Sequence, residues 1–102
     1  MHPTVAVIGI VRFPPERMAE VHPHVRALVE ATRRHDDCIS YDVAEDILEP
    51  GLLRFSETWP DHASLERHVH APHVVPWREA SQRCGILEKK YITHDITGTR
   101  AL

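Results

Sequence analysis

Cysteine, glycine and aromatic residues are scarce in this 102-residue chain: two Cys, four Gly, and two each of Phe, Tyr and Trp. Two cysteines cannot build a disulfide framework, and no CxxC pair is present. Cys38 and Cys84 sit among apolar residues, so two reduced thiols in a cytoplasmic protein are expected. An excess of basic charge is also lacking. Twelve Lys and Arg stand against fifteen Asp and Glu, a formal charge of −3, which gives no reason to expect a nucleic-acid partner. No apolar run approaches the roughly 18–20 residues of a spanning helix, so no membrane partner is expected. Residues 5–11 are apolar, but His2 and Pro3 precede them and Arg12 stops them too soon for a signal peptide.

What is present is the composition of a folded, soluble domain, 42% hydrophobic and 26% charged. The length suits one domain spanning residues 1–102. A domain this small buries only about two-thirds of its unfolded surface, so a second subunit covering part of it would add stability.

The apolar pattern divides the chain. Val5 to Val11 is β-branched and apolar on both parities, the pattern of a strand buried on both faces, and Pro14-Pro15 ends it. From Met18 the period changes: Met18, Val21, Val25, Leu28 and Thr32 form the stripe of an amphipathic helix. Pro23 should kink this helix, or mark its true start with residues 15–21 as a separate turn. After the polar break at Asp36-Asp37, Ile39, Tyr41 and Val43 alternate with Ser40, Asp42 and Ala44 as a strand. Glu49-Pro50-Gly51 reads as a turn into a partner strand, Leu52 to Trp59, with Leu53, Phe55, Glu57 and Trp59 on one face.

Pro60 stops that strand and Asp61 can cap a helix in which Leu65, His68 and Val69 share a face. Pro72 ends it and can occupy the first turn of a second piece carrying His73, Trp77, Ala80 and Cys84, closed by Gly85. Ile86 to Ile96 supplies the last strand. The order is βαββαβ, an α+β fold of ferredoxin-like type with an antiparallel sheet.

Three segments carry a resemblance: Cys38-Ile39-Ser40-Tyr41, then Phe55-Ser56-Glu57-Thr58-Trp59, then the helix with His68 and His73 spaced as H-x(4)-H and Pro72 before the second His. Together they resemble the antibiotic biosynthesis monooxygenase (ABM) family. The resemblance implies a homodimer whose two sheets pack as a dimeric α+β barrel, with a cavity between sheet and helices in each subunit. It further implies, for many members, oxygenation of quinols, phenols or anthrone-like molecules with O2 and no cofactor. Haem-degrading relatives use an Asn on the first strand, where this chain offers Gly9, so haem is not expected.

Cofactor-free oxygenation needs a base, a donor to the resulting oxyanion, and a dry place for an aromatic ring. His68 and His73 are candidate bases because imidazole titrates near neutrality, and Tyr41 is a candidate donor. Trp59, Trp77, Phe55 and Glu57 are candidate substrate-binding residues. Each also has a plainer reading. His68 could be a core histidine satisfied by a carbonyl or by Glu57, and His73 a contact at the Pro72 break. The aromatics could be core. Glu57 could orient a His, pair with Arg54 or Arg12 across a dimer contact, or support the helix. Nine histidines invite a metal, yet His22-x-His24 and His68-x-His70 come with no recognisable third ligand, so none is expected. The competing functional classes are a cofactor-free isomerase and a binding module that sequesters a small apolar molecule.

Overall fold

The computed structural model describes residues 2–102. Strand β1 spans Val5–Arg12 and leads through a short 3-10 turn, Pro15–Arg17, into helix α1, Met18–His35. Strands β2, Ser40–Glu45, and β3, Leu52–Trp59, follow. Helices α2, His62–Val69, and α3, Val74–Arg83, precede the last strand, β4, Glu88–Asp95. The sheet order is β2-β3-β1-β4 and every pairing is antiparallel, which is the ferredoxin-like arrangement.

The helices cover one face of this sheet. The α1 stripe is buried at all five expected positions, Met18, Val21, Val25, Leu28 and Thr32. Opposite it lie Val5, Val7 and Val11 of β1 and Leu53, Phe55, Glu57 and Trp59 of β3, with Phe13 and Trp77 completing the core. Truncating a fully buried aromatic such as Phe13 or Trp59 to Ala would cost about 3–5 kcal/mol.

Three expectations need correction. Strand β1 is buried on one face only. On the other, Ile8 is 52% exposed and its neighbour Ile92 of β4 is 45% exposed. Pro23 does not start α1, which runs through it from Met18 to His35. Its ring faces solvent, where water can take up the carbonyl that loses its partner. Pro72 lies ahead of α3, whose N-cap is His73; the proline inside the first turn is Pro76. Asp61 caps α2 as expected, its Oδ1 accepting from the Ser64 amide at 2.7 Å. Gly85 follows α3 at φ 76°, the left-handed conformation that ends a helix at low cost for glycine alone.

Candidate functional site

Between the helices and the sheet lies a cavity of about 240 Å³. Val7, Leu28, Leu65, Val74 and Trp77 give it apolar walls, and Tyr41, Glu57, His68, Tyr91 and Thr93 bring polar groups to them. Arg78 and Lys89 also line it.

His68 reaches the cavity because Asp61 fixes the start of α2 one residue after Pro60, placing position 68 two turns on, over the end of β3. Its ring lies 5.0 Å from Trp59 and 5.2 Å from Tyr41, centroid to centroid. On its far side Nδ1 lies 2.7 Å from Oδ2 of Asp36. His73 Nε2 meets the same oxygen at 2.8 Å. A carboxylate only accepts, so these contacts put the His68 proton on Nδ1 and the His73 proton on Nε2. That leaves Nε2 of His68, which has no partner among the described residues, as the nitrogen available to the cavity. Burial lowers the His68 pKa, opposed by the hydrogen bond to Asp36. The neutral, proton-accepting form is thereby favoured near pH 7.

Glu57 stands on the cavity floor, in register with Val7 on one side and Tyr41 on the other. Trp59 Nε1 donates to its Oε1 at 2.9 Å. Burial dominates, however, and pushes the carboxyl up to about 7. No arginine pairs with it among the described residues. Tyr41 is buried and its hydroxyl has no partner among the described residues; burial, aided by Glu57, raises its pKa well above the usual phenol range. Tyr91 is raised by the same two causes in the same order. Both hydroxyls therefore stay protonated and can donate.

Tyr91 was not legible from its own neighbourhood, yet Gly9 marks its place. A Cβ at Gly9 would lie 2.3 Å from the Tyr91 ring, its register partner across β1 and β4. The absent side chain lets the ring lie flat on the strand, where it packs edge-on against Phe55 at 5.4 Å.

Of the residues singled out in the sequence, Tyr41, Glu57, His68 and Trp77 line the cavity. Phe55 and Trp59 do not; they lie fully buried behind its wall, supporting Tyr91 and His68. His73 lies on the opposite side of Asp36, in a shallow groove with His35 and Pro72. Asp36 itself passed as a polar break. It also joins His68 and His73, rather than either of the pairs His22-x-His24 and His68-x-His70, in one cluster whose donor atoms lie within 4.8 Å of one another. Two donors on one tetrahedral zinc stand roughly 3.3 Å apart. Contacts of 2.7 and 2.8 Å are instead those of direct N–H···O bonds.

The antibiotic biosynthesis monooxygenase profile matches residues 4–80, from the start of β1 to the middle of α3. The chain belongs to the antibiotic biosynthesis monooxygenase family. No curated protein matches it. Among solved structures, a candidate ABM protein from Deinococcus radiodurans superposes with a TM-score of 0.89 at 22% identity, covering 96% of this chain and 97% of that one. An antibiotic biosynthesis monooxygenase gives 0.80 at 29% identity over 92% and 99%. A conserved protein from Methanosarcina mazei gives 0.82 at 24% over 91% and 92%. These likenesses establish an ABM-type fold. The matched span contains Asp36, Tyr41, Glu57, His68, His73 and Trp77, whereas the β4 contribution to the cavity, Lys89, Tyr91 and Thr93, lies beyond it. No helix among the described residues is long and apolar enough to cross a membrane.

Proposed function

We propose that this ABM protein oxygenates a small aromatic molecule, a quinol, phenol or anthrone-like compound, with O2 and without a cofactor. The observation that carries the reading is His68. Its tautomer is set by Asp36, and its free Nε2 belongs to a cavity that also holds Tyr41, Tyr91 and Glu57, whose carboxyl burial pushes up to about 7. Nε2 takes the acidic proton of the substrate, because the anion of a phenol or enol gives up electrons to O2 far more readily than its neutral form. Tyr41 and Tyr91 donate to the resulting oxyanion, and Trp77 holds the ring. For an anthrone-like methylene the balance is CH2 + O2 giving C=O + H2O, with the substrate supplying all the electrons. At about 240 Å³ the cavity falls just below the usual range of ligand sites, about 300–1,000 Å³, which fits a compact ring system.

Oxygen uptake by metal-stripped protein with hydroquinones, naphthalenediols and anthrones tests this. The expected result is uptake above the autoxidation background for at least one class. No uptake across the panel would sink the oxygenase reading and favour an isomerase or a binding module.

The assembly proposed is a homodimer that closes over the open face of the sheet, where Ile8 and Ile92 are half exposed. A reducing, cytoplasmic setting goes with the free thiols of Cys38 and Cys84. Sedimentation at micromolar concentration should give the mass of two chains, and the mass of one would refute the dimer.

A further inference from the structure

The cavity carries more positive charge than its proposed chemistry needs. Arg78 of α3 and Lys89 of β4 both line it, and both are also exposed to solvent. Neither forms an ion pair among the described residues; Arg34, Arg83, Lys90 and Arg100 form none either, but only Arg78 and Lys89 line the cavity. One amino group of Arg78 donates to the Val69 carbonyl at 2.7 Å, which anchors the side chain and leaves the rest of the guanidinium fork uncommitted. Its charge is felt weakly inside the cavity, where it adds to the lowering of the His68 pKa by burial and partly opposes the rise of Tyr91. Lys89 lies on the same side of β4 as Tyr91 and Thr93, two residues from Tyr91. The one carboxyl group in the lining, Glu57, lies on the floor, accepts from Trp59 and forms no ion pair with either cation among the described residues.

We infer that the substrate of this site is an aromatic acid, whose carboxylate is held by Arg78 and Lys89 while its hydroxyl lies at His68. The inference rests on the cavity being the substrate site proposed above. A carboxylate fits because it is planar and small, matching a guanidinium fork in two parallel bonds and adding little volume. Binding at two cations on separate elements also fixes the direction of the ring, with its acidic end toward α3 and β4 and its hydroxyl toward α2.

The test is equilibrium binding, read by tryptophan fluorescence and calorimetry, with 1-hydroxy-2-naphthoate, its methyl ester and 1-naphthyl phosphate. The expected result is that the acid binds at least about tenfold tighter than the ester, and that 0.5 M salt removes most of the difference. Lys89→Met should weaken the acid about tenfold and leave the ester unchanged. Arg78→Lys, which keeps the charge and loses the fork, should weaken the acid several-fold. Lys89 is exposed, so Lys89→Met leaves the fold intact and carries the test even if the Arg78 variant is unstable. Equal affinities for acid and ester, or an acid affinity untouched by Lys89→Met, would overturn the inference. Tighter binding of the phosphate than of the acid would overturn the choice of carboxylate. None of these readings depends on turnover: selective binding of the acid without oxygen uptake by any hydroxylated acid would preserve this inference and remove the oxygenase.

Discussion

Replacing His68 by Ala should lower turnover by about a thousandfold while substrate still binds. A positioned general base contributes on the order of 10²–10⁴ in rate, and no other imidazole lines the cavity. His73 is close in space, with its ring centre 6.2 Å from that of His68, but the Asp36 carboxylate accepts from both rings and His73 lies outside the lining. His73→Ala should therefore cost far less. Asp36→Asn is the informative companion. It keeps the shape but removes the charge that favours the Nδ1-protonated tautomer, so kcat should fall with little change in KM. Because Asp36 raises the His68 pKa against burial, its loss should also move the acid limb of the rate profile to lower pH. A purely structural Asp36 would change stability and leave that limb in place. Full activity in His68→Ala, with the fold confirmed by circular dichroism, would remove His68 from the mechanism. His68→Gln covers the case in which the alanine variant, hollowed at a 7% exposed position, fails to fold.

The elements were legible because each carries its own local signal. The 3–4 spacing of α1, the alternation of β3 and the Asp61 cap gave the βαββαβ order, and the parity of β3 placed Glu57 and the aromatics on the core face. What local patterns do not report is which distant residue meets which. Asp36 reads as a loop residue because its partners His68 and His73 are 32 and 37 positions away. For the same reason, Phe55 and Trp59 share a face with Glu57, yet only Glu57 reaches the cavity; periodicity gives the face and not the depth. The two-sided apolar pattern of β1 overstates burial in the chain, because a pattern counts apolar residues and does not report what covers them. Gly9 was the one available pointer to Tyr91. A glycine inside a strand marks a close approach, but not which side chain makes it.

Glu57 should make the protein less stable as pH rises through neutrality, and Glu57→Gln should abolish that loss. An unfolded Glu titrates near 4.5, whereas in the fold this carboxyl titrates at about 7. Between those values the native state holds a proton that the unfolded state has released. The stabilising difference is therefore complete below the unfolded value and disappears as pH climbs past about 7. A gap of about 2.5 pH units corresponds to about 3 kcal/mol at 1.36 kcal/mol per unit. In a domain of this size that is on the order of 10 °C in Tm. His68 acts in the opposite direction at the acid end, since its folded pKa is lowered and it gains stability as pH rises toward 6.5. That contribution is common to both proteins. The difference in Tm between Glu57→Gln and wild type, followed from pH 5 to 8, isolates the carboxyl and should grow in favour of the variant up to about pH 7 and level off above it. The glutamine oxygen can still accept from Trp59 Nε1, so the buried indole keeps its partner. The same titration should shape catalysis. Activity needs His68 neutral and, where Glu57 donates to the substrate, Glu57 protonated, which gives a bell with its alkaline limb near pH 7. Loss of that limb in Glu57→Gln would mark Glu57 as a proton-bearing member of the site. An unchanged limb beside a changed stability profile would mark it as a buried acid that serves only the fold.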